Sequence, residues 1–145
     1  MQAEHNTKPR VGRRLAGLLV SGLSLLPAAA SAGSVDWHDL AANPTDYLGK
    51  EIELTGYCAQ GGAKGDVLGY ECATEGTVYV DARAVEPDTA KKKVDENCGG
   101  KDVIERSSEC RVTLRLTPHS FTSSTMIEPD KSVTIFNADK AELSF

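Results

Sequence analysis

The stretch Asp46–Cys58, D-Y-L-G-K-E-I-E-L-T-G-Y-C, decides how the rest of the chain is read. Gly49 ends whatever precedes it, because glycine closes helical segments at no steric cost. Beyond it Ile52, Leu54, Gly56 and Cys58 fall on one side of an extended chain, and Glu51, Glu53, Thr55 and Tyr57 on the other. That period of two is the mark of a half-buried strand, and such a strand belongs to a barrel or a sandwich.

Moving outward, the same alternation recurs. A second strand is expected over Leu68 to Ala73, with Leu68, Tyr70 and Cys72 inward. A third is expected over Thr77 to Arg83, with Val78, Val80 and Ala82 inward and Tyr79 and Asp81 facing away. Thr74-Glu75-Gly76 turns between them. Glu86 to Asn97 carries a helix start signal, with Pro87 early, an apolar stripe of Ala90 and Val94, and Gly99-Gly100 as a stop. Lys101 to Glu109 is polar and reads as loop. The fourth strand, Cys110 to Thr117, points Val112, Leu114 and Leu116 inward and ends at Pro118. A long segment from His119 to Lys131 precedes a last strand through Val133, Ile135 and Phe136 to Phe145, with a shift of phase near Asn137 that predicts a bulge. Upstream, Ser34 reads as the cap of a short helix whose Trp37, Leu40 and Ala41 share a face. With Tyr47 and Leu48 it is expected to close one end of the core.

The order helix, three strands, helix, two strands predicts an all-β domain with two short helices: a five-stranded Greek-key barrel of OB type, stapled by disulfides. The motif N-P-T-D-Y-L-G-K-E-I-E-L-T-G at Asn43 to Gly56 resembles the entry to the first barrel strand in bacterial OB-fold proteins of the tRNA-anticodon type (tRNA_anti-like family). The resemblance implies the fold and leaves the ligand open, since OB barrels take oligonucleotides, oligosaccharides and proteins alike.

The first 32 residues read as an address. Lys8, Arg10, Arg13 and Arg14 precede an apolar run from Leu15 to Leu26, and Ala30-Ser31-Ala32 fits the small-x-small cleavage rule of a secretory signal peptide. Residues 1–32 are therefore expected to be removed, leaving 33–145 as one domain in the periplasm or secreted, with no membrane span after cleavage. The cut takes four basic residues and Glu4, leaving 12 Lys and Arg against 20 Asp and Glu, a net charge of −8. So acidic a surface argues against nucleic acid or anionic membrane as the main partner.

All four cysteines, Cys58, Cys72, Cys98 and Cys110, lie beyond the signal. An even number in an exported domain predicts two disulfides. Of three possible connectivities, local geometry favours sequence neighbours: Cys58 with Cys72, centring a hairpin on Gly65, and Cys98 with Cys110. The spacings contain no C-x-x-C pair, so a zinc site is not expected.

Catalytic signatures are missing. There is no G-x-S-x-G, no H-E-x-x-H and no phosphate-cradling loop, and beyond the signal only His38 and His119 remain. No cofactor and no metal are expected, and a non-catalytic binding or adaptor module is the leading reading. OB barrels bind on the outer face of strands two and three and in the long loops. That selects Tyr57, Glu71, Tyr79 and Asp81, with Gly61 to Asp66 and, in the second loop, His119 and Phe121 within His119 to Met126. Rings beside carboxylates and hydroxyls suit an envelope protein or an oligosaccharide better than a nucleic acid, which wants basic grooves. The alternative is a small envelope hydrolase or enzyme inhibitor working through surface carboxylates; Glu71 and Asp81 converging in a cleft would favour it.

Overall fold

The computed structural model describes residues 32–63, 65, 67–125 and 131–145. The signal peptide expected over residues 1–32 falls, but for Ala32, outside the described residues, as do Lys64, Asp66 and 126–130 of the two long loops. Among the described residues the strands are β1 (Gly33–Ser34), β2 (Ile52–Gln60), β3 (Tyr70–Ala73), β4 (Val78–Glu86), β5 (Arg111–Leu116), β6 (Ser120–Ser124) and β7 (Val133–Ser144). The helices are α1 (Trp37–Ala42), α2 (Asp88–Asn97) and α3 (Gly100–Glu105), with single 3-10 turns at Pro44–Tyr47 and Ser108–Cys110.

Five strands close on themselves. β2 pairs antiparallel with β3, β3 antiparallel with β4, β4 parallel with β7, β7 antiparallel with β5, and β5 antiparallel with β2. This ring is the five-stranded Greek-key OB barrel. β1 adds two parallel pairs beside β2, and β6 forms a hairpin with the first half of β7.

The barrel is filled by the alternating residues of β2 and β5: Ile52, Leu54 and Cys58 with Val112, Leu114 and Leu116, joined by Val78, Val80, Phe136 and Leu143. Each large apolar side chain taken out of water contributes about 1.5–3 kcal/mol. Gly56 keeps the inward phase but has no Cβ, and needs none: a Cβ there would overlap Leu114 Cδ1. In β7 the buried positions change phase between Phe136 and Ala138 and then Ala141 and Leu143, within one continuous strand rather than at an interruption near Asn137.

Several boundaries differ from expectation. Leu68 does not enter the core and is 95% exposed. Gly69 at φ 128° breaks the extended run, so β3 starts at Tyr70 and the alternation cannot be carried back across it. Asp36, not Ser34, caps α1 by accepting from the His38 amide at 2.8 Å, while Ser34 pairs with Glu53 in β1. Gly99-Gly100 does not end helical structure: Gly99 caps α3, and the Asp102 carboxylate accepts from the Gly99 amide at 2.7 Å.

Both disulfides form as expected. Cys58 and Cys72 are directly opposed across β2 and β3, and Cys98 joins Cys110 across the loop that carries α3. At one end of the barrel α1 buries Leu40 completely. α2 lies against β2, β4 and β7 and buries Ala90 and Val94. It is latched to β3 by the Tyr70 hydroxyl, which donates to Asp95 at 2.6 Å while Lys91 donates to the other carboxylate oxygen at 2.7 Å.

Candidate functional site

Register places four of the six expected binding residues together on the outer face of β2, β3, β4 and β7. One row runs Tyr57, Ala73, Tyr79, Ile135, and the next Ala59, Glu71, Asp81, Asn137. This is the face on which OB barrels hold ligands. Here the chain fills it with its own residues. Tyr57 is 7%, Glu71 4% and Tyr79 3% exposed, so none of the three is displayed to a partner; Asp81 is half-buried.

The cover has two parts. α3 packs on β2 and β3 with Val103 fully buried. The β2–β3 loop folds back so that Gly62 lies against the Glu71 side chain and the Ala63 amide donates to Glu71 Oε1 at 2.9 Å. The two parts meet where the Gly100 Cα abuts the carbonyls of Gly62 and Ala63, an approach only glycine allows. Arg106, which ends α3 at φ 53°, donates to the carbonyls of Thr74 at 2.7 Å and Gly76 at 3.0 Å. The Tyr57 hydroxyl donates to Glu75 at 2.7 Å, and that carboxylate, aided by burial, holds the phenol pKa above its ordinary value.

Tyr57 and Tyr79 lie in one row with Ala73 of β3 between them. Glu71 and Asp81 are directly opposed across β3 and β4, but Glu71 is buried under the β2–β3 loop rather than open in a cleft.

The other two expected residues lie elsewhere. Phe121 is half-buried on β6, its ring centroid 6.0 Å from that of Phe136, where it extends the core. His119 is exposed and lines a groove of about 500 Å³ over the outer side of β5, β7 and the end of β4, with Glu51, Glu86, Arg115, Asp139, Lys140 and Glu142.

The groove is threaded with ion pairs. Lys140 meets Glu86 at 2.8 Å, and that carboxylate raises the lysine pKa. Arg115 meets Glu53 at 3.2 Å and Glu142 at 3.8 Å, and His119 faces Asp139 at 3.9 Å. The result is a polar trough of alternating charge, able to hold hydroxyls, amides and charged groups of either sign. Among the described residues no three His, Cys, Asp or Glu side chains gather as metal ligands.

Of the groove residues, sequence reasoning singled out only His119. Arg115 was legible as an outward residue of its strand, yet its neighbours Glu53 and Glu142 come from register on two sides, 62 residues away in one direction and 27 in the other. No family model, curated protein or solved structure matches the chain.

Proposed function

We propose that this chain is a small exported OB-type binding or adaptor module, non-catalytic, that holds a polar ligand, an envelope protein segment or an oligosaccharide, in the groove lined by His119, Arg115 and Lys140. The supporting observation is the exchange of surfaces. The barrel face that would hold a ligand is filled by α3 and the β2–β3 loop, while an open groove of about 500 Å³ with mixed charge stands over the outer side of β5, the second half of β7 and the end of β4. Two disulfides fit an oxidising compartment, and among the described residues no helix is long and apolar enough to cross a membrane.

Nucleic acid is disfavoured because the groove mixes acids with bases and the chain as a whole carries −5. The hydrolase reading moves to the same groove, since four carboxylates line it. Three of them, Glu86, Glu142 and Asp139, stand beside cationic or imidazole partners, an arrangement suited to holding rather than to proton transfer.

The test is binding of the oxidised chain to a panel of oligosaccharides and charged peptides, repeated with Arg115→Ala and Lys140→Ala. Loss of binding by about tenfold or more in both variants, with melting unchanged, supports the proposal. Turnover of a panel sugar that is lost in Glu86→Gln or Asp139→Asn would replace it with the hydrolase.

A further inference from the structure

Strand register orders the charges of the groove. Glu53, Arg115, Glu142 and Glu86 stand in one row across β2, β5, β7 and β4, so that Glu142 and Glu86 are direct partners. Like charges set opposite each other destabilise a sheet unless a cation answers them. Lys140 answers Glu86 at 2.8 Å, whereas Arg115 reaches Glu142 only at 3.8 Å and has its nearer contact with Glu53, at 3.2 Å. The Lys140 pKa is raised by Glu86 first and by Glu142 as well, so one ammonium stands between two carboxylates. His119 and Arg83 both face Asp139, each at 3.9 Å. Glu51 lines the same groove, is exposed, and meets none of these bases. With Glu53 and Arg83 included, five acids stand against three bases, a net charge of −2 with His119 neutral.

We propose that the occupant of the groove is a short basic peptide segment of a partner protein, its lysine or arginine side chains set against Glu142 and Glu51. This rests on the reading of the groove as the ligand site and commits it to one ligand class. An anion would have to displace a carboxylate from Arg115 or Lys140, since both are already paired. A sugar presents an apolar ring face that aromatic side chains stack against, and among the lining residues only His119 brings a ring. A peptide cation needs no such exchange. It supplies the charge that the Glu86–Glu142 pair lacks, and complementarity of that kind selects one partner over another. The backbone carbonyls of the same segment accept from the N–H groups that Arg115 and Lys140 still have, because a guanidinium carries five donors and an ammonium three. A volume of about 500 Å³ lies within the range of ligand sites.

The experiment titrates the oxidised chain with three probes: a capped hexapeptide of alternating glycine and lysine, the same peptide with glutamate for lysine, and a neutral hexasaccharide. The lysine peptide is expected to move the amides of Glu51, Arg115, Asp139, Lys140 and Glu142 and to bind most tightly. Raising salt from about 0.01 M to about 0.15 M, which shortens the screening length from about 30 Å to about 8 Å, should weaken it severalfold. Glu51→Gln and Glu142→Gln should each weaken it by about two- to fivefold, the range of exposed ion pairs, with melting unchanged. Glu105→Gln, which removes the same charge from α3 on the other face, should leave it as it was. Should a groove variant fail to fold, the shifts and the salt dependence of the unaltered chain decide. Groove shifts from the glutamate peptide or the saccharide but not from the lysine peptide would overturn the proposal and leave the groove as the ligand site. Lysine-peptide binding that Glu105→Gln weakens as much as the groove variants do would also overturn it, as attraction to net charge alone. Groove amides unmoved by all three probes would overturn the site and the proposal together.

Discussion

The indole of Trp37 occupies the space that a side chain at residue 76 would need: a Cβ on Gly76 would lie 2.1–2.3 Å from three of its ring atoms. This contact fastens α1, across the end of the barrel, to the turn between β3 and β4. Arg106 holds the same turn from α3, and Tyr57 holds it through Glu75. Gly76→Ala is therefore expected to destabilise the fold by about 1–3 kcal/mol, the range for inserting a methyl into filled space. Trp37 is the sole tryptophan, so its emission should shift to the red in the folded variant as the ring is pushed into water. Unchanged melting and emission would show that the ring moves aside freely.

Tyr79 was expected to stand on an open face, where its loss would weaken binding and spare stability. At 3% exposure the expectation reverses. Tyr79→Ala should cost about 3–5 kcal/mol, as truncation of a buried aromatic does, read as a fall in the denaturant midpoint. A cost below about 1 kcal/mol would place the ring outside the core.

The latch of α2 sets two pH limits. Partial burial pushes Asp95 up, but the Lys91 ammonium and the Tyr70 hydroxyl together outweigh it and hold the carboxyl below the ordinary value. Burial, reinforced by Asp95, holds the Tyr70 phenol above its ordinary value. A lowered carboxyl stabilises the fold above the unfolded value of about 4 and is lost as pH falls through the folded one. A raised phenol stabilises below about 10 and is lost as pH climbs beyond it. Stability should therefore decline on both flanks; Asp95→Asn should flatten the acid flank, and Tyr70→Phe the alkaline one. Flanks of unchanged slope in both variants would remove the latch from the account of stability.

The disulfides close loops with separations of 14 and 12 residues, for which chain entropy gives about 3 kcal/mol each. Replacing either pair by alanine should lower stability by about that amount. Non-reducing peptide mapping should return Cys58 with Cys72 and Cys98 with Cys110, and no free thiol.

What the sequence disclosed depends on which faces are buried. β2 and β5 alternate cleanly, and the opposed cysteines marked the register of β2 on β3, so the barrel order was readable. Period-two reading assigns the other face to water, and that failed for Tyr57 and Glu71, where α3 packs on β2 and β3 and the β2–β3 loop folds onto Glu71, and for Tyr79, which is buried on the same face. α3 itself was invisible: six residues with Val103 as their one buried side chain have no periodicity to detect. β6 was hidden by its serines and threonines, which read as loop until β7 supplies the partner strand. The groove arises from pairing between distant strands, which no local pattern records.

Backbone-amide NMR of the oxidised chain, titrated with the oligosaccharides and charged peptides of the binding panel, bears most directly on where the ligand sits. Binding in the groove predicts shifts concentrated at Glu51, Arg115, His119, Asp139 and Lys140, with Tyr57, Glu71 and Tyr79 unmoved. Shifts concentrated on Tyr57, Glu71 and Tyr79 would contradict it, showing that the cover opens and that the barrel face beneath it is the site.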